Sequence, residues 1–289
     1  MSAYDDITAK IVAAIESGLT TGKGYRMPWH SQCGRPVNVA TGRVYRGINV
    51  LMLWGEAQDK GFSSPLWGTF KQWQTKGAKV KKGAKASLVV FWKDLPAKGE
   101  QEGDEEEAGK RFVLKTSWAF NAAQVEGYEV DGEPAAPHEP SAAERLIAAA
   151  GVDVRFGGGQ AYYHPRLDYV QMPAPGDFVS VPAFQSVLLH EAAHWTGHQS
   201  RLEREFGKRF GDSAYAMEEL VAELSAAFLC ADLGVSNQPR LDHAEYVANW
   251  LQVLKNDSRA IFSAASAATK AADFLLHFQA AENKQEIAA

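Results

Sequence analysis

The sequence predicts an α+β protein in two parts, an N-terminal mixture of strands and short helices and then a small sheet followed by helices. Three observations predict it. Two strong strand patterns, Ala86-Ser-Leu-Val-Val-Phe-Trp-Lys and Arg111–Asn121, lie among short helical segments in the first 130 residues. A stretch with three prolines in ten residues, 131–140, interrupts the chain and reads as a linker. From Ser180 onward the pattern is almost wholly helical. The division expected is therefore 1–130, linker 131–140, and 141–289.

The elements follow in order. Ile7, Ile11, Val12 and Ile15 recur at helical spacing, and Gly18 stops that helix. A Gly-rich loop, Thr20-Thr-Gly-Lys-Gly-Tyr, comes next, then a turn-rich ribbon from Arg35 to Gly47. Ile48 to Lys60 is an apolar helix ended by Gly61, and Thr69 to Lys76 is a shorter one ended by Gly77. The basic run Lys76–Lys85 is expected to be a flexible loop. The acidic, Gly-containing stretch 98–110 can bury nothing and joins the two strong strands as a mobile hairpin loop. After the linker, Ser141 caps a helix to about Ala150, and Asp168-Tyr-Val-Gln-Met is expected to be an edge strand able to take a peptide by β-addition. Ser180, with Pro182 in the first turn, opens a helix that Gly197 is expected to stop.

Of 289 residues, 46% are hydrophobic and 22% charged, enough apolar material for a core and too much for global disorder. No run of 18 apolar residues exists to span a membrane. The acidic start, Met1-Ser-Ala-Tyr-Asp-Asp, does not read as a secretory leader. Two distant cysteines, Cys33 and Cys230, make no disulfide framework, so a reducing cytoplasm is the expected location. The net charge of −5 conceals a split. Residues 1–100 carry 15 Lys/Arg against 7 Asp/Glu, and the remainder 15 against 28. A basic half on an acidic chain suggests an anionic partner, most commonly nucleic acid.

The sharpest motif is His190-Glu191-Ala-Ala-His194. Four residues is about one helical turn, so both imidazoles share a face and can bind one tetrahedral ion. Glu191 lies one position on, placed to act as general base towards a water that the ion acidifies, with peptide hydrolysis as the default chemistry. The plain alternative is a buried helix with two ordinary histidines. Zinc needs a further protein ligand. In Tyr215–Cys230, Glu219 and Glu223 lie one turn apart among alanines, where an acid is costly unless it binds something. Glu219 is the proposed third ligand and Glu223 the acid behind a ligand histidine, with the reverse assignment open. His198 competes if the helix breaks at Gly197. Glu218 fits a solvated acidic face better. Zinc is the expected ion, one per chain, with manganese open because two His and a Glu suit more than one metal. Tyr162, Tyr163, His164 and Tyr215 are candidates for oxyanion stabilisation.

The basic half interleaves cations and rings, the pairing that binds single-stranded nucleic acid through phosphates and stacked bases. Its candidate DNA contacts are Trp29, Arg35, Asn38, Tyr45, Arg46, Asn49, Trp67, Lys71, Lys81, Lys82 and Lys85. Trp54 and Trp92, in apolar segments, belong to the core instead.

Both parts resemble the ArdC-type antirestriction family. The N-terminal likeness lies in Arg35-Pro-Val-Asn, Tyr45-Arg-Gly-Ile-Asn-Val-Leu, Ser64-Pro-Leu-Trp-Gly-Thr-Phe-Lys-Gln and Val89-Val-Phe-Trp-Lys. The C-terminal likeness lies in Leu189-His-Glu-Ala-Ala-His-Trp-Thr-Gly-His and Glu218-Glu-Leu-Val-Ala-Glu-Leu. The resemblance implies an N-terminal single-stranded-DNA-binding domain and a zincin-like metallopeptidase domain. It also implies a role on conjugative elements, shielding incoming DNA from host restriction endonucleases. Single-stranded DNA is the implied partner; duplex DNA, DNA-bound proteins and restriction enzymes are further partners it leaves open. Within the related peptidase fold the third ligand varies, so the resemblance does not choose it.

Overall fold

The computed structural model describes residues 3–20, 34–95, 111–128, 142–206, 213–235 and 244–288. Its architecture is α+β. Helix α1 (Ala3–Thr20) buries Ile7, Ile11, Val12 and Ile15 along one stripe. Strand β1 (Val37–Asn38), bridged from Val37 to Val44, forms the ribbon after Arg35. Helix α2 (Ile48–Lys60) ends at Gly61, whose left-handed backbone, φ 68°, turns its N–H back onto the last carbonyls. Strand β2 (Leu66–Gly68) leads into α3 (Phe70–Thr75). Thr69 caps this helix at the Gln72 N–H, and the Gln72 side chain accepts from the Thr69 N–H. That reciprocal box satisfies donors a six-residue helix would otherwise leave open.

Strands β3 (Lys79–Val80), β4 (Ser87–Leu95), β5 (Arg111–Asn121) and β6 (Val125–Glu126) complete the N-terminal sheets. The larger has the order β1-β2-β5-β4, with β4 and β5 antiparallel from Ser87 opposite Ala119 to Leu95 opposite Arg111. The stretch 98–110 between them and the linker 131–140 lie outside the described residues, as do Ser141 and the loop Thr21–Tyr25. The Lys76–Lys85 run is not a free loop. Lys79 and Val80 pair with Glu126 and Val125, and the Lys81 N–H donates to the Gln124 carbonyl at 2.9 Å. The two-residue ladder anchors the run; its lysines stay exposed, and the Lys81 ammonium donates to the Ala123 carbonyl at 3.0 Å.

After α4 (Ala142–Ala149), strands β7 (Val154–Phe156), β8 (Tyr162–His164) and β9 (Tyr169–Met172) form a sheet of order β7-β9-β8. The expected edge strand is therefore central: β9 pairs with β7 in parallel and with β8 antiparallel. Tyr169, Val170 and Met172 are all buried, as a strand with neighbours on both sides requires. Helix α5 (Val181–Thr196) packs under β8 and β9, and β8 is the edge lying over it. Helices α6 (Ser213–Leu233), α7 (Ala244–Asn256) and α8 (Ala260–Ala288) close the fold.

One apolar cluster crosses both parts of the chain. It joins Ile11, Leu51, Trp54 and Val90 to Leu189, Phe228, Trp250 and Ala268. Alanines let the helices approach closely: Ala192 on α5, Ala226 on α6 and Ala264 on α8 are all buried. Trp54 is in this core, as expected. Trp67 is in a core too, only 1% exposed among Leu53, Ala57, Val89 and Ala119. A ring that fully buried has no face for a base, so Trp67 is removed from the DNA contacts. The side chain of Trp92 lies outside the described residues.

Candidate metal centre and basic face

Helix α5 presents the motif. The Ser180 hydroxyl accepts from the Ala183 N–H at 3.3 Å, and Pro182 sits in the first turn. The helix ends at Thr196, but Gly197 does not end it by an unusual backbone, since its φ is −79°. A Cβ at Gly197 would lie 2.8 Å from both Arg204 Nη2 and the Phe206 ring. The glycine makes room for a guanidinium.

His190 and His194 stand one turn apart with ring centroids separated by 4.9 Å, both buried. Helix α6 lays Glu219 across them. Its Oε2 is 3.5 Å from His190 Nε2 and its Oε1 is 3.6 Å from His194 Nε2. One donor atom from each of the three residues lies within 4.8 Å of the others. Two imidazole nitrogens and a carboxylate oxygen so converged fit a divalent ion. Glu223 Oε2 lies 3.6 Å from His190 Nδ1, on the side of the ring away from Glu219. His198 turns into a local hydrogen bond, Nδ1 to Ser200 Oγ at 2.8 Å. Glu191 is buried on the same helix at 5% exposure.

Glu218 overturns the reading of it as a solvated acid. It is buried, and its Oε1 lies 3.1 Å from His194 Nδ1. Arg204 grips the same carboxylate twice, at 2.9 and 2.8 Å, and donates further to Thr196 Oγ1 and the Ala193 carbonyl. Arg204 was not anticipated from sequence. Each candidate imidazole thus has a carboxylate on its Nδ1 side: at hydrogen-bond length for His194, the arrangement that fixes tautomer and ring orientation at metal sites, and at 3.6 Å for His190. Next to it, Arg201 stacks on Trp195, its Cζ 3.8 Å from the ring centroid, and pairs with Asp168. Tyr163 is tied to that pair, donating to Asp168 at 2.8 Å, and the His164 ring stacks on Tyr169. Cys230, on α6, is buried, and burial pushes its thiol up to about 12, which makes it inert.

Without an ion, the carboxylates around His194 favour its protonated form. Burial disfavours the His194 imidazolium, but bonds to Glu218 and Glu219 outweigh it and push the pKa up to about 10. Burial likewise works to raise Glu219, yet the two imidazoles hold it well below the usual carboxylate range. In the metal-free protein the His194 contribution to stability is complete below about pH 6.5. It is lost as pH rises through about 10. A divalent ion must displace that proton. Metal addition at pH 8 is therefore expected to release about one proton per ion, read by calorimetry in buffers of different ionisation enthalpy. Uptake without proton release would contradict the pairing.

Residues 1–120 match the family described as the N-terminal domain of anti-restriction factor ArdC, and residues 141–267 match the zincin-like metallopeptidase family. The fold also superposes on the metal-free crystal structure of the antirestriction ArdC protein from plasmid R388. The TM-score is 0.82 and the identity 38%, over 97% of this chain and 98% of that one. The chain belongs to the ArdC family of antirestriction proteins. The Mn(II)-bound structure of the same R388 protein matches with a TM-score of 0.78 and 37% identity, over 96% and 98% of the two chains. Protein y4eC of Sinorhizobium fredii (strain NBRC 101917 / NGR234) is 45% identical over 98% of this chain and 94% of its own length. A DNA primase TraC of Escherichia coli is 31% identical over 96% of this chain, which spans only 27% of that primase. In the zincin-like part of this ArdC-family chain, His190, His194 and Glu219 are placed to hold a divalent ion.

The basic face of this ArdC-family protein is smaller than the sequence suggested. Arg35 is buried, donating from Nε to Asp232 at 2.6 Å, so it joins the N-terminal part to α6 and is not a phosphate contact. The Asn49 amide is consumed by the unpaired edge of β4, the last strand of its sheet: it donates to the Val90 carbonyl and accepts from the Val90 N–H, both at 2.7 Å. It completes a ladder rung and is unavailable to a base. Asn38 holds a turn, accepting from the Ala40 and Thr41 N–H groups, and donates to Tyr45 and Gln72. Tyr45 is half-buried, and burial raises its phenol above the usual range. Arg46 is exposed and shared with Asp273. Lys71, Lys81, Lys82 and Lys85 are exposed. Trp29 lies outside the described residues. Among the described residues no helix is long and apolar enough to cross a membrane.

Proposed function

We propose that this ArdC-family chain binds single-stranded DNA and shields the incoming DNA of conjugative elements from host restriction endonucleases in the cytoplasm. In this reading 1–130 carries the DNA, 141–289 carries one zinc ion, and 131–140 links them. The observation that carries the reading is the end-to-end likeness to the R388 antirestriction ArdC protein. The exposed Lys71, Lys81, Lys82 and Lys85 on the basic half support it. Alanine at Lys81, Lys82 and Lys85 together is expected to weaken oligonucleotide binding and to flatten its log–log salt dependence by about 2, roughly 0.7 per cation. Salt titration of fluorescence anisotropy measures this. An unchanged slope would remove these lysines from the interface.

The assembled His190–His194–Glu219 cluster favours a second reading, a DNA-directed zinc peptidase acting on DNA-bound proteins or on restriction enzymes themselves. An ion held by these three residues would supply Lewis acidity to a substrate carbonyl. Glu191 takes the proton of the attacking water, while Glu218 and Glu223 orient the imidazoles from behind. Glu191→Gln is expected to lower any peptide cleavage by at least a hundredfold while metal content and melting temperature stay at wild-type values. Antirestriction that survives Glu191→Gln assigns protection to DNA binding; antirestriction lost with it assigns protection to hydrolysis. His190→Ala on the same samples, with metal quantified, separates hydrolysis from metal-dependent folding.

A further inference from the structure

A cleft of about 1290 Å³ opens between the two parts of the chain. One wall is β4 with the segment before α2; the other is the first half of α8 with the 201–204 loop. Small-molecule pockets enclose roughly 300–1,000 Å³, so this space suits a larger ligand. Its lining is cationic on a chain of net charge −5, with Glu203 the one acid among the lining residues. Arg201 and Arg204 are committed inward to Asp168 and Glu218; Arg46 is exposed although paired with Asp273, and Arg259, over the Tyr4 ring, and Lys270 are exposed as well. Phe91, in the wall formed by β4, is 47% exposed. An exposed ring on the wall of a groove that also holds three exposed cations is the equipment that grips an unpaired strand.

We infer that this cleft is the path of the single strand, with Arg46, Arg259 and Lys270 on its phosphates and Phe91 stacked on a base. The inference rests on the DNA-binding reading above. It adds that helix α8, from the metallopeptidase-like part, forms half of the DNA site. A ring stacks only on an exposed base face, so the ligand is single-stranded and not duplex.

The test uses a fluorescein-labelled oligothymidylate and the full chain. An Arg259→Gln/Lys270→Gln variant is expected to bind at least tenfold more weakly at moderate salt, with a slope shallower by about 1.4. Phe91→Ala is expected to bind about tenfold more weakly with the slope unchanged. That split between charge and stacking is not produced by a general loss of structure. Wild-type affinity and slope in both variants, with the Lys81/Lys82/Lys85 variant impaired, would place the strand elsewhere and leave the DNA-binding reading standing. No binding by the wild-type chain would defeat both. If Phe91→Ala weakened a duplex of equal length as much as the oligothymidylate, the single-strand assignment would be overturned.

Discussion

Arg204→Ala is expected to destabilise the protein by roughly 3–5 kcal/mol and to weaken metal binding about 10–100-fold. The guanidinium makes two bonds to Glu218, one to Thr196 and one to the Ala193 carbonyl, in a space that any side chain at Gly197 would fill. Removing it leaves a buried carboxylate facing His194 with half its partners gone. The Glu218 carboxyl, held below its usual range by Arg204 and His194 against the pull of burial, then takes up a proton more readily. It loses its grip on the His194 ring. Chelator competition and thermal melting measure the two effects together. Glu218→Gln keeps the shape and should lose metal affinity with a smaller change in stability. Wild-type metal affinity in Arg204→Ala would show that His194 needs no support from behind.

The second large effect is expected at Arg35. Its guanidinium meets Asp232 at 2.6 and 2.5 Å with the side chains 5% and 16% exposed. Alanine there strands a buried acid. The cost is about 3–5 kcal/mol, or roughly 6–20 °C in melting temperature. Burial already raises the Asp232 carboxyl and Arg35 opposes that rise, so without Arg35 the acid protonates and limits the loss. An Arg35→Leu/Asp232→Leu double variant should recover most of the stability, because matched apolar groups replace a buried pair at little cost. Urea unfolding decides the matter, and a loss below 1 kcal/mol for Arg35→Ala would show that the pair is not sealed from water. Oligonucleotide affinity of the folded fraction should not change, which separates Arg35 from the strand contacts with which the sequence grouped it.

Much of this was written in periodicity. Four isoleucine and valine positions marked α1, Gly61 and Thr69 marked ends that the backbone then used, and the His-Glu-x-x-His spacing brought two imidazoles and Glu219 together. What stayed hidden depended on contacts between distant segments. Glu218, Glu219 and Glu223 look alike along the chain. The usable signal was that 216–230 holds almost nothing polar besides these acids, so helix α6 has little solvated face on which to put one. Arg204 sits in a loop of alternating charges, Arg201-Leu-Glu-Arg-Glu, where nothing in the linear pattern marks the one that turns inward. Trp67 has proline and glycine close by, yet the need to cover so large a ring decided its place. Asn49 reads as a polar interruption in an apolar helix; only the proximity of the Val90 strand edge explains it.

The interior shared by α1, α2, α6 and α8 sets a rule for how such a molecule can be rearranged. Severing it midway would bare greasy surface on both fragments, so neither is fit to be inherited by itself. Both parts are therefore expected to be carried together when the chain is joined to a larger polypeptide. The alignment of this chain with the longer primase TraC, across 96% of its own length, is the pattern that rule allows.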